Sequence, residues 1–188
     1  MNFRERQIRA RSQIKVSRIL PFISEEMEIV DVGAGNCGVS KLLSESGYNV
    51  QPADITNRSR FKEVEPVIFD GYNLPFPDKA FDVVLLLTVL HHTLQQELLM
   101  REAKRVANKI IVMEDIYTNF FQKQLTYFAD SIVNLEFKDH PHSNKTDFGW
   151  KRCFEKLELE LTEQIDHPNF LFFFRQVTYV LNVRKGMN

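Results

Sequence analysis

The sequence predicts an α/β domain whose mostly parallel, doubly wound sheet of seven strands lies between two layers of helices. Strand-like and helix-like segments alternate along the chain, as they do in folds built from right-handed crossovers. The run from Phe81 to Thr88 is almost continuously apolar, which is typical of a central parallel strand covered on both faces. Asp166 to Asn169 has the composition of a tight turn. We therefore expect the last two strands to form an antiparallel hairpin, so that the final strand is the antiparallel one.

The first element, within residues 1–27, is predicted to be a helix. Ile8, Val16, Ile19 and Ile23 recur at helical spacing and leave the arginines mostly on the solvent side. An arginine-rich start could also be a mitochondrial transit peptide. The apolar periodicity favours the first helix of the domain.

The remaining elements follow from apolar runs and from the Gly and Pro residues between them. The strands are predicted at 28–32, 48–54, 66–69, 81–88, 109–113, 158–165 and 170–183. The helices are predicted at 39–46, from Thr93 through Val106, over about 121–135 and from about Asp147. Thr93 and Gln96 form a capping-box pattern at the start of the second of these helices. Its inner face is predicted to consist of Leu94, Leu98, Leu99, Ala103 and Val106.

Composition sets the class of protein. The chain has 188 residues, 44% of them hydrophobic and 26% charged, which fits one folded domain over 1–188. Its 24 basic and 25 acidic residues give a net charge of -1, so charge gives no reason to expect a nucleic acid or an acidic membrane as partner. No apolar run reaches the roughly 18 residues of a membrane span. Cys37 and Cys153 are too few for a disulfide framework, and we expect a cytoplasmic protein with reduced thiols.

A glycine-rich turn follows the first strand. Gly33, Gly35 and Gly38 are spaced as G-x-G-x-x-G, with a strand before them and a helix after them. Glycine allows a tight turn and the close approach of a ligand to the backbone. Asp54 ends the next strand, where a carboxylate can accept hydrogen bonds from both ribose hydroxyls of a nucleoside. These features fit a nicotinamide dinucleotide as well as S-adenosylmethionine.

Two carboxylates favour S-adenosylmethionine. Asp31 precedes Gly33 by two residues, where it can hold a ligand ammonium group but would repel a pyrophosphate. Asp70 follows the third strand and can accept a hydrogen bond from an adenine amino group. The alternative for Asp31 is a loop-holding role, and for Asp70 it is a plain turn residue before Gly71.

Four motifs in order carry a resemblance to a known family. They are IVDVGAGNCG, ADIT, FDGYNLPFPDKAFDVVLLLTVLHHT and RVANKIIVMED, between Ile29 and Met113. In these the chain resembles class I S-adenosylmethionine-dependent methyltransferases of the small-molecule, type 11-like kind. FGWKRCFEKLELEL and the final hairpin also fit, so the resemblance covers nearly the whole chain. It implies a Rossmann-like, three-layer α/β/α fold with seven strands, the last antiparallel.

The resemblance also implies a cofactor site and a substrate-recognition segment. Asp31 and the turn after it would line the methionine part, and Asp54 would hold the ribose. The nine implied cofactor-binding residues are Asp31, Gly33, Ala34, Gly35, Thr88, Asp54, Ile55, Asp70 and Gly71. Of these, Thr88 would contact the amino-acid end through its backbone, Ile55 would lie beside the adenine, and Asp70 would bind the adenine amino group. The insert 116–149 would recognise the acceptor. Its Phe120, Phe121 and Phe128 suit an apolar or planar molecule, and the alternative is a helix that packs on the core.

Methyl transfer from a sulfonium mainly requires that a nucleophile be held in line, with water excluded. His91 and His92 follow the fourth strand and are candidates for a base or a substrate contact, if the acceptor must lose a proton. Asp115 ends the fifth strand beside Glu114 and could orient the acceptor. The alternatives are loop structure for the histidines and local hydrogen bonds for Asp115. These groups lie on separate loops and specify no metal geometry, so we expect no metal.

The leading hypothesis is an enzyme that transfers a methyl group to an O, N or C nucleophile of a small molecule, acting as a monomer or homodimer. The second is a catalytically silent cofactor-binding subunit of the same fold, since no catalytic residue is compelling. An RNA methyltransferase is disfavoured because the N-terminal arginines are the one basic cluster in the sequence. A nicotinamide-dependent oxidoreductase is disfavoured by Asp31.

Overall fold

The computed structural model describes residues 3–116, 144–168 and 175–184. The described residues form one seven-stranded sheet, in the order β3-β2-β1-β4-β5-β7-β6. The strands are β1 (Glu28–Val32), β2 (Asn49–Asp54), β3 (Val67–Ile68), β4 (Phe81–Leu87), β5 (Ala107–Ile116), β6 (Leu159–Pro168) and β7 (Arg175–Val183). The helices are α1 (Phe3–Ile19), α2 (Gly38–Glu45), α3 (Gln96–Val106) and α4 (Asp147–Lys156).

The winding of the sheet reverses between β1 and β4. Strand β1 pairs in parallel with β2 on one side and with β4 on the other, so that Ile29 lies between Val50 and Val83. β7 runs antiparallel to both β5 and β6, which confirms the predicted mixed sheet with an antiparallel last strand. In open sheets of this kind ligands bind beyond the carboxyl ends of the strands where the winding reverses. Here that point is the end of β1 and β4.

The core has two layers, one on each face of the sheet. Alternate residues of β4 contribute to each: Leu85 packs in the cluster with α1 and α2, and Leu86 packs in the cluster with α3 and α4. Ile19 is fully buried in the first cluster, and Trp150 is fully buried in the second. Burial of a large apolar side chain contributes about 1.5–3 kcal/mol. Both faces of β4 are therefore covered, as its apolar run predicts.

The start of α3 corrects two predictions. The helix begins at Gln96, and Thr93 does not cap it, because the Thr93 hydroxyl accepts a hydrogen bond from the Gln95 N–H instead. Leu94 and Leu98, predicted to face the core, are 79% and 46% exposed. The short 3-10 turn Leu90–His92 takes up the residues after β4, so the helix starts later and its buried apolar face is Leu99, Met100, Ala103 and Val106.

Strand β6 is longer than predicted and extends to Pro168. Asp166 and His167 do not form the turn, because they continue β6 and pair with Val177 and Gln176 of β7. An ion pair between Arg175 and Asp166 (2.7 Å) joins the two strands there. The predicted helix at 121–135, and the phenylalanines of the insert and of 170–174, lie outside the described residues.

Candidate functional site

The glycine turn after β1 is tied to the end of β2. The N–H groups of Gly33 and Ala34 donate to the Ala53 carbonyl at 2.8 and 3.1 Å. Gly33 has φ +74°, and a Cβ there would lie 2.2 Å from Cγ2 of Val89. Both the backbone conformation and the close approach of Val89 therefore require glycine at this position. The turn consequently contacts the residue that follows β4 by two positions.

Gly35 leaves an open approach beside Asp54. Gly35 also has a positive φ (+55°), but a Cβ at this position would meet no atom within 4 Å. Its N–H donates to Oδ2 of Asp54 at 2.7 Å, and the Thr56 N–H donates to Oδ1 at 3.3 Å. Asp54 is thus held by two backbone donors. A carboxylate has about four acceptor positions, so two remain for a ligand.

Asp31 is buried at the end of β1. Its exposed fraction is 3%, and Oδ2 accepts a hydrogen bond from the Ser40 hydroxyl at 2.6 Å. Burial raises the pKa of Asp31, while the Ser40 hydroxyl and the Lys15 ammonium group act in the opposite direction. Asp31 therefore has a local partner, as the loop-holding alternative expects, and it also contributes a carboxylate to this edge of the sheet.

Lys15 lies at the same edge and was not among the residues predicted for the site. Its Nζ donates to the Leu87 carbonyl at 3.1 Å and to the Thr88 hydroxyl at 2.6 Å. Thr88 itself has φ +62° and donates its N–H to the Met113 carbonyl at 2.6 Å. A signal was available, because Lys15 follows Ile8 by seven residues and precedes Ile19 by four. It therefore lies on the apolar stripe of α1 rather than among the solvent-facing arginines.

His91 and Glu114 form a buried pair. His91 is 3% exposed and Glu114 is 0% exposed, and Nδ1 of the histidine lies 2.5 Å from Oε2 of the glutamate. Oε1 of Glu114 accepts a hydrogen bond from the Leu90 N–H at 2.8 Å. The glutamate thus fixes the 3-10 turn after β4 to the end of β5. The ring of His92 lies beside that of His91, with centroids 4.0 Å apart.

Asp115 belongs to a polar network that joins α1, β5 and β7. Its Oδ1 accepts a hydrogen bond from the side-chain amide of Gln176 at 2.9 Å, and Gln176 in turn accepts one from Arg18. Burial lowers the pKa of Arg18. The Asn144 amide donates to the Asp115 carbonyl at 3.4 Å. No local sequence pattern singles out Arg18, Asn144 or Gln176, because they are brought together only where α1, β7 and the segment before α4 converge.

Asp70 holds its own loop. Its carboxylate accepts hydrogen bonds from the Tyr72 N–H (2.8 Å), the Asn73 N–H (2.6 Å) and the Asn73 side chain (2.7 Å). These donors, the Asn73 N–H first, lower the pKa of Asp70. The turn-residue alternative therefore describes its local contacts. Gly71 lies beside Ile55, since a Cβ on Gly71 would be 3.4 Å from Cγ2 of the isoleucine. Ile55 is 52% exposed, so it offers an open apolar surface next to the loop.

The described residues offer no clear site for a metal ion or for a reactive thiol. No group of three or more His, Cys, Asp or Glu side chains there could hold a metal ion. Both cysteines are free and buried, and burial raises the pKa of Cys37 to about 11. A surface cleft of about 490 Å³ lies between α3 and α4, lined largely by charged side chains such as Glu97 and Arg152. None of the site residues described above lines it. Within the same residues, no helix is long and apolar enough to cross a membrane.

Comparisons with known proteins relate this chain to methyltransferases. Residues 30–109 match the family model described as "Methyltransferase domain". A demethylmenaquinone methyltransferase of Tropheryma whipplei is 29% identical over 125 residues, covering 57% of this chain and 52% of the relative. The chain thus spans about half the length of that relative.

Solved structures share the fold at low identity. A protein of Pyrococcus horikoshii is 19% identical with a TM-score of 0.72, covering 93% of this chain and 91% of that one. A geranyl diphosphate C-methyltransferase of Streptomyces coelicolor, solved with S-adenosyl-L-homocysteine, is 10% identical with a TM-score of 0.72, covering 98% of this chain and 85% of that one. The fold is therefore that of the class I S-adenosylmethionine-dependent methyltransferases, as the sequence predicts.

Proposed function

We propose that this chain, which has the methyltransferase fold and matches a methyltransferase domain over residues 30–109, uses S-adenosylmethionine to methylate a small molecule. One observation carries the proposal. At the point where the winding of the sheet reverses, the Gly35 backbone faces open space beside Asp54, whose carboxylate keeps acceptor positions for a ligand. A ribose with two hydroxyls fits that donor and acceptor arrangement.

The residues present fit the rest of the cofactor as well. Asp31 would face the ammonium group of the methionine part, and the backbone of Thr88 would lie at the same end. Ile55 and Gly71 would take the adenine, whose flat faces suit the exposed apolar surface there. Asp70 would reach the adenine amino group only with the acceptor capacity left after its three loop hydrogen bonds. We therefore rank it below Asp54 as a binding residue.

Methyl transfer depends on the alignment of the acceptor with the methyl group more than on the strength of an acid or a base. When bound, S-adenosylmethionine supplies a methyl group on a positively charged sulfur, which is already electrophilic. The chain's own task is to hold the acceptor in line and to exclude water. Glu114 anchors the turn that carries His91 and His92. If Nδ1 of His91 donates to the glutamate, the basic lone pair of the ring lies on its other nitrogen, Nε2.

A small molecule is the better-supported acceptor. The matched relative acts, by its name, on demethylmenaquinone. The basic helix α1, which could suggest an RNA partner, uses several of its cations internally: Arg9 bonds Glu45 at 2.6 Å, and Lys15 and Arg18 contact the sheet. Asp115, held by Gln176, and Asn144 provide oxygen atoms that could orient a polar group of the acceptor.

Calorimetric titration with S-adenosylhomocysteine tests the cofactor site. We expect micromolar binding by the wild type and about 10- to 100-fold weaker binding by Asp54→Asn, which removes the charge that accepts the ribose hydrogen bonds. Asp82→Asn is the matched control, because Asp82 also accepts a backbone N–H (Glu28, 2.9 Å) but lies at the opposite edge of the sheet. Unchanged affinity in Asp54→Asn would contradict the site. A thermal shift with NAD but none with S-adenosylmethionine would contradict the cofactor.

The second candidate is a cofactor-binding subunit without catalytic activity. The burial of His91 against Glu114 favours it, because the first candidate base is then a residue that stabilises the turn. Incubating the protein with methyl-labelled S-adenosylmethionine and a small-metabolite extract separates the two. Label transferred to a metabolite supports the enzyme, and cofactor binding without any transfer favours the subunit.

A further inference from the structure

The ammonium group of Lys15 is a charged group without a role in the cofactor site proposed above. It donates hydrogen bonds to Leu87 and Thr88, at the carboxyl end of β4, beyond the residues that pair with β1. Among the described residues, its hydrogen bonds go to two neutral oxygens, and no carboxylate oxygen lies within 4.0 Å of it. An ammonium group has three N–H donors. One of the three is therefore left without an acceptor in this part of the chain.

The carboxylates around Lys15 are close enough to act on its charge, but each has donors of its own. Asp31 accepts from the Ser40 hydroxyl, and Asp115 accepts from the Gln176 amide. Glu114 accepts from the Leu90 N–H and pairs with Nδ1 of His91. Burial lowers the pKa of Lys15, while these three carboxylates act in the opposite direction. The Lys15 side chain is half-buried, and a partly desolvated charge without a direct partner is costly. A ligand that brings an anion to this point would relieve that cost.

We propose that Lys15 binds the carboxylate at the amino-acid end of S-adenosylmethionine, so that α1 completes the cofactor site. The proposal rests on the proposed function and adds a residue to it. An amino acid carries an ammonium and a carboxylate on one carbon atom. Asp31 at the end of β1 and Lys15 at the end of β4 influence each other's charge, and so offer the complementary carboxylate and ammonium groups at this edge of the sheet. Lys15 also contacts Thr88, the residue expected beside this end of the cofactor.

Three ligands isolate the carboxylate. S-adenosylmethionine carries it, decarboxylated S-adenosylmethionine lacks only that group, and 5′-methylthioadenosine lacks the whole amino-acid part. We expect the wild type to bind the first about 10- to 100-fold more tightly than the second, the range for a charged hydrogen bond. Lys15→Met should abolish that preference and leave the affinity for 5′-methylthioadenosine within about twofold. All affinities are measured by calorimetry.

Lys109→Met is the matched control, because Lys109 is also a half-buried lysine that donates to a backbone carbonyl (Phe22, 3.1 Å), at the opposite edge of the sheet. It should keep the wild-type preference. A wild type that binds decarboxylated S-adenosylmethionine as tightly as S-adenosylmethionine overturns the role of Lys15, even if Lys15→Met fails to fold. So does a Lys15→Met variant that keeps the wild-type preference, or one that weakens all three ligands equally. A wild type that binds none of the three overturns the proposed function itself.

Discussion

The close approach of Val89 to Gly33 makes the stability of the protein sensitive to substitution at residue 33. In Gly33→Ala, the new Cβ would lie 2.2 Å from Cγ2 and 2.9 Å from Cβ of Val89. A non-glycine residue at positive φ costs about 1–2 kcal/mol, and an extra methyl group in packed surroundings costs about 1–3 kcal/mol. We expect Gly33→Ala to lower the free energy of unfolding by about 2–5 kcal/mol, a large part of the 5–15 kcal/mol typical of a domain.

Gly35→Ala is the matched comparison. It shares the positive φ but meets no neighbouring atom, so only the conformational cost of about 1–2 kcal/mol applies. Its methyl group would instead enter the open space that we assign to the cofactor. Gly35→Ala should therefore reduce S-adenosylhomocysteine binding strongly while keeping most of the stability.

The assay is urea unfolding followed by far-UV circular dichroism, with a double-mutant cycle on Val89→Ala. Trimming Val89 costs about 1 kcal/mol by itself, but in the Gly33→Ala background it should restore about 1–3 kcal/mol by removing the clash. Strictly additive effects, or equal losses of stability in Gly33→Ala and Gly35→Ala, would refute the reasoning that Val89 makes glycine necessary at residue 33.

Three further predictions concern other buried or charged groups. Glu114→Ala should cost about 3–5 kcal/mol, because it leaves His91 and the 3-10 turn without their buried partner, and urea unfolding measures this. Cys37 should resist a thiol reagent at pH 8 in the native protein and react on unfolding, since burial raises its pKa to about 11. Arg9→Gln should cost about 0.5–1 kcal/mol at pH 7, because the hydrogen bond from Arg9 holds the pKa of the partly exposed Glu45 at about 2. That contribution is present above the unfolded pKa of about 4.5 and lost as the pH falls toward 2, so the difference from the wild type should shrink over this range.

Patterns of local sequence predicted the sheet well. The apolar run of β4 and the glycine turn after β1 depend on neighbouring residues alone, and both lie where they were expected. The carboxyl ends of parallel strands meet at the same edge of a sheet. Asp31, Asp54 and Thr88 could therefore be predicted to lie in one region. Their roles toward a cofactor stay predictions, as do those of Ile55, Asp70 and His92.

Contacts between segments that are distant in the sequence could not be predicted. Lys15 lies 72 residues before Leu87, and Gln176 lies 61 residues after Asp115, so no window of sequence pairs them. The late start of α3 has a similar origin, since Glu114 of β5 fixes the turn that delays it. A turn was predicted from Asp166 onward because Asp, His and Pro resemble turn residues by composition. The ladder with β7 nevertheless continues through them.

The two outer strands bear on how copies of this sheet behave toward each other. An unpaired strand edge is a template for adding a strand from another molecule, and proteins discourage this with short edges, bulges and charges. β3 has two residues, and β6 has a register shift between Leu161 and Glu163. Glu160 and Glu163 are exposed along β6. In the described part of the chain, each margin of the sheet therefore carries a feature that opposes aggregation by strand addition, which would let the protein be concentrated for the titrations proposed above.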